Sequence, residues 1–281
     1  MKNLQGLVVA ITGAGSGIGR ALAEELARHG CRLSLSDINQ EAAMETAKPL
    51  MQNGIEVMVQ RVDVGSAEDI ALWAEATQKH FGQVNMIINN AGVALSGAVN
   101  ALSVADYEWI MRINFWGVIY GTKSFLPLLE ASGNGHVVNI SSVFGLTSQP
   151  LMSGYNASKV AVRGFTESLR QDLELSGSCV TATCVHPGGI KTNIAKSARV
   201  DSSVSTITGR DASDATREFE MSFFTSPEKA ARIIVKAIQG NKRRVLVGPD
   251  ARLYDWCARL MPAFYQRIFT AVVRSRSLRT A

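Results

Sequence analysis

The chain has 281 residues, of which 46% are hydrophobic and 19% are charged. This balance is typical of a globular protein with a sizeable core, and it excludes a largely disordered chain. The net charge of +5 is small, and neither a zinc-ligand spacing nor an RNA-binding signature accompanies it. We therefore expect no nucleic-acid partner.

The cysteines and histidines form no recognisable site in the sequence. The four cysteines are scattered without a Cys-x-x-Cys pair, and the four histidines show no metal-ligand spacing, so no metal site is predicted. Free thiols beside apolar runs favour a cytoplasmic location, as does a first strand that begins without a preceding secretion signal. The most apolar late stretch, residues 260–273, is interrupted by Pro262 and Arg267 and is too short to span a bilayer.

Strand-like and helical patterns alternate along the chain. Short apolar runs predict seven strands, over residues 7–11, 32–36, 56–61, 86–88, 136–140, 180–185 and 244–247. Helical patterns fall over residues 17–29, 40–53, 67–81, 104–129, 155–175 and 227–239, with a further helix from Arg252 onward. Such alternation indicates parallel βαβ units. The sequence predicts an α/β fold: a doubly wound, mainly parallel seven-stranded sheet with helices on both faces.

We expect one domain over residues 1–281, because no linker or break in composition divides the chain. Two segments differ from the rest. Residues 193–224 are mostly polar with weak periodicity, and we expect them to form a lid over the substrate. Residues 250–281 form a basic amphipathic C-terminal extension, which Pro262 should kink or divide.

The C-terminal extension carries a regular apolar pattern. Five large apolar residues recur at intervals of three or four: Leu253, Trp256, Leu260, Phe264 and Ile268. This spacing predicts an apolar helix face. We expect that face to pack against the body of the protein or against a neighbouring subunit of a homodimer or homotetramer. Contact with a membrane surface is the less favoured alternative.

A glycine-rich turn, Thr12-Gly13-Ala14-Gly15-Ser16-Gly17-Ile18-Gly19, lies between the first strand and the first helix. Glycines there let the backbone approach a pyrophosphate, and the start of the helix presents free N–H groups to it. The position is typical of Rossmann dinucleotide-binding folds, and it predicts phosphate contacts from Gly13, Ser16, Gly17, Ile18 and Gly19. The alternative is an ordinary glycine-rich turn.

Further candidate cofactor residues follow the next strands. Asp37 ends the second strand, where a carboxylate can accept hydrogen bonds from the ribose hydroxyls and repels a 2′-phosphate. Neither neighbouring position, Ser16 or Ile38, is basic, so NAD is favoured and NADP is the second choice. Asp63 and Val64 are expected to hold the adenine, and the small residues Asn90, Ala91 and Gly92 lie where the cofactor would cross the sheet.

Tyr155 and Lys159 are four residues apart in a predicted helix, so their side chains lie on one face, one turn apart. A free tyrosine has a pKa near ~10 and is a poor proton shuttle at neutral pH. A neighbouring ammonium favours the phenolate, and we expect Lys159 to lower the pKa of Tyr155 toward a useful value. The spacing alone is a weak signal.

Taken together, these motifs resemble those of short-chain dehydrogenases/reductases. The matching features, in family order, are the turn at residues 12–19, Asp63, residues 89–92, Asn114, Ser142, Tyr155, Lys159 and Pro187-Gly188. The resemblance covers about residues 4–192, roughly two thirds of the chain. It implies a nicotinamide cofactor and hydride transfer to or from a carbonyl or alcohol carbon.

The resemblance implies a catalytic tetrad. Tyr155 would protonate the carbonyl oxygen during reduction, or deprotonate the alcohol during oxidation, and Lys159 would also bind the nicotinamide ribose. Ser142 would polarise the substrate oxygen, with the adjacent Ser141 as the lesser candidate. Asn114 would hold a water molecule that relays protons to Lys159.

The resemblance also assigns the segment after the sixth strand, Pro187-Gly188-Gly189-Ile190-Lys191-Thr192. Pro187 and Gly188 would lie against the nicotinamide carboxamide. Ile190 would contact it through its backbone and Thr192 through its side chain, whereas Lys191 is expected to be solvated.

The substrate is the least determined part of the prediction. The loop between Ser142 and Tyr155 contains Val143, Phe144, Leu146, Pro150, Leu151 and Met152. If these side chains line the pocket, the substrate is a hydrophobic ketone or secondary alcohol; if they pack the core, they say nothing about it. A 3-oxoacyl-thioester reductase is an alternative, but such enzymes commonly use NADPH. A nucleotide-sensing protein without turnover is another, disfavoured by the presence of both Tyr155 and Lys159.

Overall fold

The computed structural model describes residues 1–195, 197–209 and 224–277. The strands are β1 (Val8–Thr12), β2 (Arg32–Asp37), β3 (Val57–Arg61), β4 (Met86–Asn89), β5 (Leu95–Ser96), β6 (Gly135–Ile140), β7 (Val180–Pro187), β8 (Arg199–Val200) and β9 (Arg244–Val247). The helices are α1 (Gly17–Arg28), α2 (Gln40–Gln52), α3 (Ala67–Phe81), α4 (Val104–Met111), α5 (Gly117–Ala131), α6 (Ser153–Leu175), α7 (Ser203–Thr208), α8 (Pro227–Gln239), α9 (Pro249–Leu260) and α10 (Phe264–Ser277).

Seven strands form one parallel sheet in the order β3-β2-β1-β4-β6-β7-β9. The chain moves outward from β1 to β3 and then returns to β4 on the other side of β1. The strand order therefore reverses between β1 and β4, and this switch point opens a crevice at the carboxyl ends of the strands. The predicted doubly wound α/β fold is confirmed. The short strands β5 and β8 form a separate pair.

The sheet is covered on both faces, which explains why its strands are apolar throughout. Val9 and Ile11 pack in the cluster on one face, whereas Val8 and Ala10 pack in the cluster on the other. Successive side chains of a strand point to opposite faces, so a strand buried on both sides has no polar position. At the end of β1, Thr12 is also buried, where its hydroxyl contributes to the site described below.

The predicted helix over residues 104–129 is interrupted. A capping box of Ser103 and Asp106 begins α4, and a five-residue π-helical segment, Arg112–Trp116, separates it from α5. A π segment inserts one additional residue in a turn and reorients the side chains that follow. Here the side chain of Asn114 turns inward and is completely buried.

The segment expected to form a lid begins with β8 and α7. Arg199 of β8 pairs with Leu95 of β5, and the hydroxyl of Ser203 accepts a hydrogen bond from the backbone of Ala98 at 2.9 Å. Residue 196 and residues 210–223 of this segment lie outside the described residues, so the lid stays a prediction.

The C-terminal extension divides into α9 and α10 at Pro262, as predicted. Ala251 and Tyr265 are its buried side chains, and the ring of Phe269 lies 5.6 Å from that of Tyr254. Among the residues that the structure describes, no helix is long and apolar enough to cross a membrane.

The apolar stripe of the extension does not pack against the protein body, so of the two expected contacts the one with a neighbouring subunit stays a prediction. Leu253, Trp256, Leu260, Phe264 and Ile268 are 60%, 62%, 58%, 54% and 39% exposed. The body-facing positions are instead occupied by a second set of residues on another side of the same helices, among them Ala251 and Tyr265. Helical periodicity locates an apolar face but does not show which side of the helix meets the body.

Candidate active site

The predicted cofactor and catalytic residues lie at the carboxyl ends of the parallel strands. The glycine turn follows β1, Asp37 ends β2, residues 90–92 follow β4, and Ser142 follows β6. Because all of these strands run in the same direction, their carboxyl ends lie along one edge of the sheet. The crevice at the switch point runs between the turns after β1 and β4.

Hydrogen bonds tie the two turns beside the crevice together. The Thr12 hydroxyl accepts from the backbone N–H groups of Asn90 and Ala91, at 2.9 and 3.0 Å. The Asn90 side chain donates to the Thr12 carbonyl at 2.9 Å. Gly13 has a φ of +65°, and a Cβ atom there would lie only 2.9 Å from the Cα of Ala91. Only glycine fits this close approach without strain.

The start of α1 is open to a ligand. Ser16 is the N-cap residue, but its side chain makes no capping hydrogen bond, and the first turn contains no acidic residue. The first N–H groups of a helix have no partner within that helix and carry its positive end. Across the opening, a Cβ atom on Gly17 would lie 3.0 Å from the Thr192 side chain. The α1 terminus thus faces the segment that follows β7.

Asp37 is held in one orientation by the backbone. One carboxylate oxygen accepts from the N–H of Gly15 at 2.9 Å, and the other accepts from the N–H of Asn39 at 3.0 Å. The nearby Arg20 guanidinium donates to the Gly15 carbonyl at 2.6 Å and to the Thr46 hydroxyl at 2.9 Å. Arg20 is therefore committed to contacts within the chain.

Asp63 and Val64 lie beside the π-helical segment. The Asp63 carboxylate accepts from the N–H of Gly65 at 2.8 Å and from Arg112 at 3.1 Å. Val64 is half-buried, and a Cβ atom on Gly117 would lie 3.1 Å from its side chain. Asp63 is therefore held by Arg112 at the start of the π segment, and Val64 lies against Gly117 just after its end.

Tyr155 and Lys159 lie one turn apart on α6, as predicted, and both are buried. The Lys159 ammonium nitrogen lies 5.7 Å from the centre of the Tyr155 ring and donates to the carbonyl of Ile140 at 3.1 Å. This carbonyl anchors the ammonium at the carboxyl end of β6.

The pKa of Tyr155 moves in the direction opposite to the one expected from Lys159. Burial raises the pKa of Tyr155 to about 12, while the hydrogen bond with the Ser142 hydroxyl acts to lower it. Burial lowers the pKa of Lys159 to about 8. Desolvation disfavours the charged form of each group, so burial moves the pKa of the phenol up and that of the ammonium down.

The two adjacent serines have different surroundings. The Ser141 hydroxyl donates to the backbone carbonyl of Lys159 at 2.8 Å and thereby ties β6 to α6. The Ser142 hydroxyl accepts from the N–H of Phe144 at 3.1 Å and acts to lower the pKa of Tyr155. Neighbouring residues of an extended chain point to opposite sides, so only Ser142 reaches the phenol.

Asn114 lies between Lys159 and the turn after β4. Its amide donates to the carbonyl of Val93 and to the Ser158 hydroxyl, both at 3.0 Å, and accepts from the N–H of Val93 at 2.8 Å. A Cβ atom on Gly92 would lie 3.2 Å from the Asn114 oxygen and 3.4 Å from the Lys159 nitrogen. These three residues therefore surround one small space, and the cost of burying the amide is offset by its hydrogen bonds.

The segment after β7 is held by Asp250 of α9, by Val247 of β9 and by Thr225. The N–H of Gly189 donates to the Asp250 carboxylate at 2.5 Å, and the N–H of Gly188 donates to the carbonyl of Val247 at 2.9 Å. Ile190 is buried and bridges to Thr225. A Cβ atom on Gly188 would overlap Asp250, so this glycine is required for the contact.

Apolar side chains border the catalytic end. Part of the loop between Ser142 and Tyr155 joins one cluster with Tyr155, and the Phe144 ring meets the Tyr155 ring edge-on at 5.9 Å. The other members of that cluster include Val143, Met152, Leu95, Ala251 and Tyr254. We call residues 143–154 the catalytic loop and this cluster the apolar wall; α9 contributes Ala251 and Tyr254 to it.

The comparisons with known proteins identify the family. A profile described as short chain dehydrogenase matches residues 7–203. The putative oxidoreductase SadH of Mycobacterium tuberculosis is 44% identical over 274 residues, which cover 97% of this chain and 97% of the relative. The chain belongs to the short-chain dehydrogenase/reductase family. It is therefore an oxidoreductase of that family.

Solved structures of this family have the same fold. A short-chain dehydrogenase from Burkholderia phymatum in complex with NAD has a TM-score of 0.85 and 31% identity, covering 95% of this chain and 97% of its own. An alcohol dehydrogenase from the archaeon Thermococcus sibiricus, complexed with 5-hydroxy-NADP, has a TM-score of 0.69 and 26% identity, covering 86% and 94%. These relatives hold either form of the nicotinamide cofactor.

Two contacts of this short-chain dehydrogenase were missed in the sequence. Asp250 supports Gly189, and the Tyr265 hydroxyl accepts from the N–H of Ser148 in the catalytic loop at 3.1 Å. Both side chains lie beyond the residues that match the family profile. In the sequence, the glycine at residue 248 was the sign of an unusual backbone beside Asp250. In the structure this glycine has a φ of +107°.

Proposed function

We propose that this protein is an NAD-dependent alcohol dehydrogenase or ketone reductase that acts on a hydrophobic small molecule. The observation that carries the proposal is the buried group formed by Tyr155, Ser142, Lys159 and Asn114 at the carboxyl end of the sheet. Lys159 and Asn114 have defined hydrogen-bond partners. The Ser142 hydroxyl acts to lower the pKa of Tyr155, whose ring lies in the apolar cluster.

The residues around the crevice fit a nicotinamide dinucleotide. Side chains at Gly13, Gly17 and Gly92 would fill the space beside the turns or contact their neighbours. The open α1 terminus suits a pyrophosphate, which we assign to the N–H groups of residues 16–19. We assign the adenine to Asp63 and Val64. The nicotinamide side is assigned to Asn90, Ala91, Gly92, Lys159, Pro187, Gly188, Ile190 and Thr192.

The preference for NAD rests on Asp37. Its carboxylate is held at the end of β2 by the N–H groups of Gly15 and Asn39, so it cannot turn away from a bound ribose without losing both hydrogen bonds. A 2′-phosphate in that place would meet a fixed negative charge. Arg20, the nearest cation of the turn, is engaged with Gly15 and Thr46.

In the proposed mechanism, Lys159, Ile190 and Thr192 would hold the nicotinamide, which would supply or take up the hydride. Ser142 hydrogen-bonds the substrate oxygen and holds it beside the Tyr155 hydroxyl. Tyr155 gives its proton to that oxygen during reduction and takes it back during oxidation. Because burial raises the pKa of Tyr155 to about 12, the phenol is protonated at neutral pH and ready for reduction. The proton is replaced through Lys159, whose pKa is lowered to about 8, with Asn114 beside it.

The apolar cluster at the catalytic end supports a hydrophobic substrate. Val143 and Phe144 are buried in the core cluster that contains Tyr155, whereas Met152 beside them is half-buried, and we assign Met152 to the substrate side. Water is poorly retained among such side chains, and a polar substrate would lose hydration without gaining hydrogen bonds. A bulky ketone or secondary alcohol therefore suits this wall better than a sugar or a hydroxy acid.

The proposed function is tested with a panel of bulky ketones, secondary alcohols and polar hydroxy acids, assayed by absorbance of the reduced nicotinamide. We expect turnover with members of the apolar set and a higher kcat/KM with NADH than with NADPH. An Asp37→Ser variant should lose at least about tenfold of this coenzyme preference. Preference for NADPH in the unmodified chain, or turnover only of polar substrates, would contradict the proposal.

A further inference from the structure

The α9–α10 pair carries exposed apolar side chains that its contacts with the body do not use. We call the set Leu253, Trp256, Leu260, Phe264, Ile268 and Val272 the outer stripe; each member is at least 39% exposed. Residues 253, 256 and 260 share one face of α9, and residues 264, 268 and 272 share one face of α10. The surfaces of monomeric globular proteins seldom expose so many large apolar residues in two successive helices.

Basic residues flank the outer stripe. Arg252 and Arg259 are seven residues apart on α9, and Arg267 and Arg274 are seven residues apart on α10, so each pair lies along one side of its helix. All four are exposed. Residues 249–281 contain six arginines and only two acidic residues, Asp250 and Asp255.

Both acidic residues of the extension already have partners. Asp250 accepts from the backbone of Gly189, and Asp255 pairs with Arg244 and Arg259 with its side chain only 17% exposed. The surface beside the outer stripe is therefore positive. A second copy that met this surface through the same face would bring the same arginines together, and like charges disfavour that contact.

We propose that the outer stripe docks the protein onto an anionic lipid surface. Large apolar side chains with a tryptophan, flanked by arginines, match the pattern of helices that lie in the membrane interface. The apolar residues would enter the boundary between headgroups and acyl chains, and the arginines would meet the lipid phosphates. The carbonyl substrate of the active site plays no part in this inference, which stands independently of the proposed function.

The docking is tested by co-sedimentation of the full-length protein with vesicles. We expect binding to vesicles of phosphatidylcholine mixed with phosphatidylglycerol, little binding to phosphatidylcholine alone, and weaker binding as salt is added. The double variants Trp256→Ser/Leu260→Ser and Arg267→Gln/Arg274→Gln should each lower the partition constant about tenfold or more.

A matched control removes exposed apolar residues elsewhere. Leu72 and Leu175 are 53% and 87% exposed on the body, and Leu72→Ser/Leu175→Ser should bind vesicles as the unmodified chain does. Thermal unfolding of each variant shows that it is folded. Equal binding to both kinds of vesicle, no binding, or an equal loss in the control would overturn the proposal. So would a smaller mass in light scattering for Trp256→Ser/Leu260→Ser, because the stripe would then be a subunit interface.

Discussion

The body of the chain, which runs from β1 to β9, and the C-terminal helices α9 and α10 bury their apolar side chains in different ways. In the body, strands such as β1 are buried on both faces, and their carboxyl ends carry the chemistry. The C-terminal helices bury mainly Ala251 and Tyr265 and leave the outer stripe exposed. The body therefore holds the proposed reaction centre, whereas α9 contacts it from outside through Asp250 and the outer stripe stays exposed.

A large effect is expected within the body, at the two serines after β6. Ser142→Ala should lower kcat about 100-fold, because it removes the hydroxyl that we place on the substrate oxygen. Ser141→Ala should change kcat only a few-fold, since its hydroxyl donates to the backbone of Lys159, although it should lower the free energy of unfolding by about 1 kcal/mol. Steady-state kinetics of both variants with one accepted ketone measure the difference. Equal losses in kcat would show that the hydroxyls are not distinguished as we describe.

The next effect concerns support from the C-terminal helices. Asp250→Ala removes the acceptor of the Gly189 N–H, and the segment that we assign to the nicotinamide should loosen. We expect the KM for the cofactor to rise about tenfold with a smaller change in kcat.

Two matched variants make the Asp250 result specific. Asp250→Asn keeps an acceptor oxygen for Gly189 and should recover most of the affinity for the cofactor. Asp255 lies on the same helix as Asp250. Asp255→Asn weakens the pairing with Arg244 of β9 but leaves the Gly189 contact, so the KM for the cofactor should be normal. A raised KM in Asp255→Asn equal to that of Asp250→Ala would attribute the effect to general loosening of α9.

A pH-dependent effect is expected at His136 in the middle of the sheet. Its Nδ1 and Nε2 atoms hydrogen-bond Thr181 and Thr183 at 2.7 and 2.8 Å, and burial lowers its pKa to about 3. The unfolded chain has an ordinary histidine pKa of about 6.5. Between these values the unfolded state binds a proton that the folded state does not, so stability falls as the pH drops from about 6.5 toward 3.

Urea unfolding at several pH values measures this dependence. His136 should contribute a loss of up to about 1.4 kcal/mol for each pH unit below 6.5. His136→Gln is expected to lower stability at pH 7 and to flatten the acid slope by that amount. An unchanged slope in the variant would mean that His136 is protonated in the folded protein.

The smallest effect is expected where α10 meets the catalytic loop. Tyr265→Phe removes the acceptor of the Ser148 N–H and should lower the free energy of unfolding by about 1 kcal/mol. Hydrogen exchange should become faster at residues 146–150 and stay unchanged in the turn at residues 12–19. Unchanged exchange at both places would show that the Tyr265 hydroxyl does not stabilise residues 146–150.

The sequence predicted the strands and helices of the body better than the contacts that the C-terminal helices make with it. Alternating patterns located all seven strands of the sheet, and α3, α8 and β9 have the predicted bounds. The π segment at Arg112–Trp116 could not be predicted, because one additional residue in a turn hardly alters the apolar periodicity of a long helix. The consequence is local but important, since the segment is what turns Asn114 toward Lys159.

Contacts between distant residues explain the other differences. Asp250 meets Gly189 across 61 residues and Tyr265 meets Ser148 across 117, and no local pattern records either pairing. The raised pKa of Tyr155 was not predicted either, because the spacing places an ammonium beside the phenol but does not show how deeply both are buried. Amphipathicity likewise showed an apolar stripe on α9 and α10 without showing that it stays exposed.

The most direct test of the account is a comparison of Tyr155→Phe with the unmodified protein, using one accepted ketone and NADH. We expect oxidation of NADH to fall at least about 1000-fold, because the proton donor is lost. Binding of NADH, followed by its fluorescence, should change less than threefold, since the phenylalanine ring keeps the apolar packing against Phe144. Turnover within about tenfold of the unmodified protein would contradict the role of Tyr155 as the proton donor.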